Sequence, residues 1–208
     1  ALRGRILIDN GRLSTQERID ACGSGEEWAQ NSDGSCPEQA PLTLNGAPTM
    51  VSAGEYAAIQ CLANLETSDD AVLVEAPGGA YEPQKSRFSA LTGIPTLIGW
   101  QNHERQWRGP TYPDVTDWRI EDGVRRDRVS DVQDLYTTQD WDRAWSIIDR
   151  YGIDYIVVGN AERLLPAELA NDDASRLQDY KRGLEKFAQV LEPVCDSGSA
   201  VVYRVAPE

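Results

Sequence analysis

Apolar residues in this chain fall into short runs with two different periods. Asp70-Ala71-Val72-Leu73-Val74-Glu75 is a compact apolar run stopped by Pro77-Gly78-Gly79, the pattern of a buried strand ending in a loop. Thr96-Leu97-Ile98 and Tyr155-Ile156-Val157-Val158 predict two more strands, and Ala200-Val201-Val202-Tyr203-Arg204-Val205 predicts a last one. Between these runs the spacing becomes helical. Ala58, Cys61, Leu62 and Leu65 share one face, Val129, Val132, Leu135 and Tyr136 a second, Trp141, Ala144, Trp145 and Ile148 a third, and Leu184, Phe187 and Leu191 a fourth. Ser52-Ala53-Gly54-Glu55 has the spacing of a capping box, in which serine and glutamate side chains satisfy exposed helix N–H groups, and Gly152 fits a helix C-terminal cap. Strands alternating with helices predict an α/β fold, a mostly parallel or mixed sheet flanked by helices.

The pattern weakens toward the N-terminus. Residues 1 to 48 hold little core signal beyond Arg5-Ile6-Leu7-Ile8, which reads as a short strand, and the run from Cys22 to Pro48 is rich in Gly, Ser, Asn and Pro. The expected division is an irregular N-terminal arm over 1–48, carrying a disulfide loop, and a single α/β domain over 49–208. Internal repeats and low-complexity tracts are absent.

At 208 residues the chain suits one domain able to bury a core, and no apolar run within it is long enough for a spanning helix. Ala1 is not a natural start, and no charged-then-apolar signal follows it, so the chain is expected to be processed or excised. The formal charge of -14 argues against nucleic acid as a partner, because phosphate backbones need a cationic track. It also argues against docking on an anionic leaflet through a basic patch. A solvated acidic surface that keeps the domain soluble is the favoured reading.

Cys22, Cys36, Cys61 and Cys195 form no C-x-x-C pair, and one histidine does not complete a Cys/His cage, so neither zinc nor any other metal site is expected. An even count favours disulfides, with three connectivities open; the favoured pairing is Cys22 with Cys36, inside the polar run, and Cys61 with Cys195. The alternative is that Cys61 is a small buried helix residue and Cys195 a free thiol.

The densest chemistry lies in Gly99-Trp100-Gln101-Asn102-His103-Glu104-Arg105-Gln106-Trp107-Arg108-Gly109, which holds the only histidine and two of the six tryptophans. Bracketing glycines, with Pro95 before and Pro110 after, predict a shaped loop or single helical turn leaving a strand. Indole faces would give stacking area while His103, Glu104 and Arg108 supply directed hydrogen bonds, a carbohydrate or peptide contact surface. Against this stands a structural reading: Trp100 and Trp107 pack in the core, and Glu104 and Arg108, four apart, form a bracing ion pair. Arg87 and Arg125 are weaker candidates of the same kind.

Catalytic templates do not fit. His103-Glu104-Arg105-Gln106-Trp107 places tryptophan where a zinc protease needs its second histidine; no G-x-S-x-G elbow presents a serine to His103; no P-loop or dinucleotide fingerprint occurs. No catalytic residue and no cofactor is therefore assigned. Asp114, Asp117, Glu121 and Asp122 are a carboxylate cluster able in principle to hold calcium, but they lack the EF-hand pattern and read as a solvated loop. A stand-alone hydrolase using His103 as acid or base beside Glu104 is the alternative from another class.

Arg87-Phe88-Ser89-Ala90-Leu91-Thr92-Gly93-Ile94-Pro95-Thr96-Leu97-Ile98-Gly99-Trp100, followed by His103-Glu104 and Gln106-Trp107-Arg108-Gly109, resembles the signature of the YYY membrane protein family. The likeness extends to Leu42-Thr43-Leu44-Asn45-Gly46, Tyr56-Ala57-Ala58-Ile59, Leu135-Tyr136-Thr137-Thr138 and Tyr151-Gly152-Ile153-Asp154-Tyr155-Ile156, covering most of residues 42 to 205. The family is polytopic and similar to GT-C glycosyltransferases, whose membrane part is followed by a soluble extracytoplasmic domain. The resemblance implies that this chain is that domain, anchored through its parent protein, and that any metal-binding catalytic acids lie in the membrane part. It further implies a non-catalytic role in acceptor or lipid-linked sugar recognition, as GT-C transferases use a Trp-rich motif near the acceptor site. The binding residues would be Trp100, His103, Glu104, Trp107, Arg108 and Arg87; the partners would be the membrane-embedded portion of the same parent and a glycan. A purely structural lid on that membrane portion is the remaining alternative.

Overall fold

The computed structural model describes residues 39–44, 47–79, 82, 84–109 and 118–205. A hairpin of β1 (Gln39–Leu44) and β2 (Ala47–Ser52) leads into α1 (Ala53–Asn64), β3 (Leu73–Val74), α2 (Arg87–Thr92) and α3 (Gln101–Arg108). A second hairpin, β4 (Arg119–Glu121) and β5 (Val124–Arg126), precedes α4 (Arg128–Thr137) and α5 (Trp141–Tyr151). The chain closes with β6 (Tyr155–Val158), α6 (Asn160–Ala170), α7 (Ala174–Val190), β7 (Glu192–Asp196) and β8 (Val201–Arg204).

The central sheet is mixed, in the order β3-β6-β8-β7, with β3 parallel to β6 and the other two pairs antiparallel. Side chains alternate between its faces. Leu73, Tyr155, Val157 and Val202 pack against Ala58, Ile59 and Leu62 of α1 and Phe88 and Leu91 of α2. Val74, Ile156, Val158 and Tyr203 pack against Val132, Leu135 and Tyr136 of α4, Ala144, Ile147 and Ile148 of α5, Leu165 of α6 and Phe187 of α7. A period of two with both faces covered makes strand residues apolar without interruption, which is why Tyr155–Val158 reads as a continuous run. The helices at Val129–Tyr136 and Trp141–Ile148 form as their spacing predicts, and Gly152 ends the latter at φ 58°.

A disulfide joins Cys61 of α1 to Cys195 of β7, 134 residues apart, so the expected pairing forms and ties an early helix to the far sheet edge. Cys22, Cys36 and the Arg5–Ile8 run lie outside the described residues.

Four local expectations are corrected. Thr96-Leu97-Ile98 is not a strand: it touches the sheet edge by isolated parallel bridges at Leu73–Thr96 and Gly78–Trp100. Between them the Leu97 carbonyl accepts from Arg128 Nη1 (3.3 Å) and Pro77 has no N–H to donate, so no continuous ladder forms. The capping box is half formed. Ser52 Oγ accepts the Glu55 N–H (3.2 Å), but the Glu55 side chain turns away to Arg87 and Asn160. The segment after Gly99 is a helix of eight residues, α3, rather than a loop or single turn. Finally, β1 and β2 pair antiparallel, from Gln39 opposite Ser52 to Leu44 opposite Ala47, in a run expected to be irregular.

Candidate binding groove

α3 is fixed to the end of β3 by its own entry. Leu97 donates to the Leu73 carbonyl (3.0 Å) and Gln101 to that of Gly78 (2.9 Å), so the helix springs directly from the sheet edge. Helical spacing then aligns positions 100, 103, 104, 107 and 108 on one side. There they form one wall of an open groove of about 490 Å³, whose other wall and floor come from Ser86, Ser89, Ala90, residues 93–96 and Gly99.

Trp100 is held in place, its indole N–H pointing at the carbonyls of Glu82 (3.0 Å) and Lys85 (3.1 Å), and its ring lies 5.5 Å from that of His103. Glu104 and Arg108 form the i,i+4 ion pair that their spacing allows. Trp107 is 85% exposed. The core-packing alternative therefore fails for Trp107, while the bracing ion pair is real and coexists with the groove. Five of the six sequence-predicted binding residues line this one surface.

Arg87 does not join them. It is buried in a cluster with Glu55, Glu75 and Glu162, all four almost wholly excluded from solvent. Its guanidinium donates to Glu55 through Nε (2.9 Å) and Nη2, to Glu162 through Nη1 (3.2 Å) and Nη2 (2.9 Å), and to the Gln84 carbonyl (3.2 Å). Glu75 accepts the backbone N–H groups of Phe88 (2.9 Å) and Ser89 (2.8 Å), capping α2. Burial raises the Glu75 carboxyl to about 7, against the charge of Arg87 and with that of Glu162. Burial also pushes Glu162 up, but Arg87's charge and hydrogen bonds outweigh it and hold Glu162 below the ordinary carboxylate range. Gly159 makes room for this cluster, since a Cβ there would run into Arg87 Nη2 and Glu55 Oε1. Breaking such a buried network by removing one partner commonly costs about 3–5 kcal/mol, so Arg87 is a structural anchor.

The remaining candidates are scattered. The Arg125 guanidinium lies 5.3 Å from the Trp118 ring centre. Glu121 is engaged by Arg119 and Arg143, and Asp122 is the exposed turn residue beside it. Asp114 and Asp117 lie outside the described residues. Among the described residues, no three His, Cys, Asp or Glu side chains gather as a metal ion would require. Sequence reasoning missed Ser86 and Thr96 as polar residues of the groove wall and floor: Ser86 lies just before the motif, and Thr96 lies within it but reads as a strand residue.

No family model matches the chain, and no curated protein matches it. Among solved structures, the C-terminal globular domain of an oligosaccharyltransferase from Archaeoglobus fulgidus is similar at a TM-score of 0.46 and 12% identity, covering 75% of this chain and 99% of that one. That similarity is too low to assign this chain an activity.

Proposed function

We propose that this chain is the non-catalytic extracytoplasmic domain of a membrane glycosyltransferase of the GT-C kind, and that the α3 groove contributes to recognising the acceptor or lipid-linked sugar. The observation that carries the reading is the convergence of Trp100, His103, Glu104, Trp107 and Arg108 on one open groove, with an indole left in solvent at its rim. Exposed aromatic faces beside directed polar groups match the alternating apolar and hydroxylated surfaces of a sugar ring. Two further points support the reading: the motif spanning Arg87 to Gly109 resembles the YYY family signature, and a disulfide between Cys61 and Cys195 suits an oxidising location. Among the described residues no helix is long and apolar enough to cross a membrane, so anchorage belongs to the parent protein in this reading.

The test is titration of the protein with short neutral oligosaccharides, following tryptophan emission. Binding on the order of 1 mM, with a blue shift that disappears in Trp107→Ala, is the expected result. Trp107→Ala should leave the thermal midpoint nearly unchanged, because an exposed position contributes about 0.5 kcal/mol or less, and Glu104→Gln should lower it only slightly, since an i,i+4 ion pair on a helix is worth about 0.2–0.5 kcal/mol. If both substitutions unfold the protein, α3 is purely structural and the reading fails.

A further inference from the structure

One residue of the groove breaks two local rules at once. Ser86 sits at φ 55° and ψ 26°, a left-handed conformation that disfavours any residue with a side chain, and it is only 4% exposed. Asp122, Asn171 and Asp172, the other non-glycine residues at positive φ among those described, are all exposed. The Ser86 hydroxyl also has no hydrogen-bond partner among the described residues. Buried oxygens without partners are rare, and glycine at this position would remove both faults. Faults that persist where a simple substitution would cure them are characteristic of functional sites.

The surroundings say what such a site would take. Gly99, on the groove floor, carries no side chain to stand between Glu104 and Ser86. A Cβ there would stand 3.4 Å from Glu104 Oε1, 3.7 Å from Ser86 Oγ and 3.9 Å from the Thr96 methyl, so both oxygens flank the same side of Gly99 and form a notch above it. Ser86, Thr96, Gly99 and Glu104 all line the groove, and the Thr96 hydroxyl likewise has no partner among the described residues. A carboxylate oxygen accepts, whereas a serine hydroxyl both donates and accepts. One neutral hydroxyl fits this pair by donating to Glu104 and accepting from Ser86. An anionic group would be repelled by Glu104, and a cation would compete with Arg108, which already pairs with it. A methyl group would leave Ser86 without a partner.

We propose that the notch between Ser86, Gly99 and Glu104 is a subsite for one ring hydroxyl of a neutral pyranose. This rests on the groove being a glycan site, as argued above. Its test uses the protein, its Ser86→Ala, Ser86→Gly, Gly99→Ala and Trp107→Ala variants, and the methyl glycosides of glucose, galactose and mannose with the monodeoxy analogues of whichever binds. Ser86→Ala and Ser86→Gly should weaken binding by about 5- to 10-fold, the loss of one neutral hydrogen bond. One monodeoxy sugar should show the same loss against wild type and no further loss against Ser86→Ala. Gly99→Ala adds a methyl group at ordinary contact distances and should abolish binding while preserving the fold. Ser86→Gly should raise the Tm by roughly 2–4 °C, the opposite of what a structural hydroxyl would give. A sugar that is lost in Trp107→Ala but indifferent to Ser86→Ala and Gly99→Ala overturns the notch while sparing the groove. Absence of binding by any sugar in wild type removes both, and a lowered Tm in Ser86→Gly overturns the notch alone.

Discussion

Glu75→Gln tests the buried cluster behind the groove. Glu75 is wholly buried and its carboxyl is raised from 4.5 to about 7, chiefly by burial. A folded-state pKa above the unfolded one means that between those values the folded protein holds a proton that the unfolded chain has released. Stability from this group is therefore complete below about 4.5 and is lost as the pH rises through about 7. At about 1.4 kcal/mol per pH unit the full loss is about 3 kcal/mol, of which about 2–3 kcal/mol falls between pH 5 and 8. Glutamine has the same shape and does not titrate, so the variant should lack that loss. The acidic surface adds repulsion in the same direction, which makes the difference between the two slopes the quantity to read. Glutamine keeps one acceptor for the Phe88 and Ser89 N–H groups and gives up the other, an offset of about 1 kcal/mol that shifts the variant's curve without tilting it. Urea unfolding at pH 5, 6, 7 and 8, with the disulfide intact, measures both curves. Parallel curves would show that Glu75 stays ionised in the fold, and the account of the cluster would be wrong.

Lys186 should produce the opposite slope at higher pH. Burial lowers its pKa from 10.5 to about 7, against the charge of Asp134, so the unfolded chain holds more protons between those values and stability rises with pH across that window. Lys186→Met should flatten the rise in urea unfolding measured at pH 7, 8, 9 and 10, and an unchanged rise would refute the assignment. For the disulfide, Cys61→Ala with Cys195→Ala should cost about 2–5 kcal/mol, as expected for a bridge closing a loop of 134 residues, and a variant with wild-type urea midpoint would count against that bridge in solution.

The fold was legible where one residue's surroundings repeat along the chain. Tyr155–Val158 and the helices around Val132 and Ile148 announce themselves because both faces of the sheet are covered and each helix buries one stripe. The strand expected at Thr96–Ile98 failed because it depends on partners far away. Its ladder is interrupted where Arg128, 31 residues on, takes the Leu97 carbonyl and Pro77 has no N–H to offer. The hairpin at Asp122-Gly123 carried its own turn residues and was readable in principle. Glu55 illustrates the opposite case: its spacing from Ser52 is correct for a capping box, yet an arginine 32 residues away wins its carboxylate.

The candidate groove was legible for the same local reason, since positions 100, 103, 104, 107 and 108 share a face in any helix. Arg87 was not, because sequence shows that it belongs to the motif but not which way it points. Its guanidinium faces the buried carboxylates, while Ser86 before it and Ser89 and Ala90 after it line the groove. Glu75 meanwhile caps the N–H groups of Phe88 and Ser89 from behind. The arginine thus belongs with the motif by holding the groove's other wall in place: the cluster sets the start of α2, and the start of α2 sets Ser86. Ser86 can keep its disfavoured backbone and partnerless hydroxyl only because the residue next to it is fixed by six hydrogen-bonded or ionic contacts to Glu55, Glu75, Glu162 and Gln84.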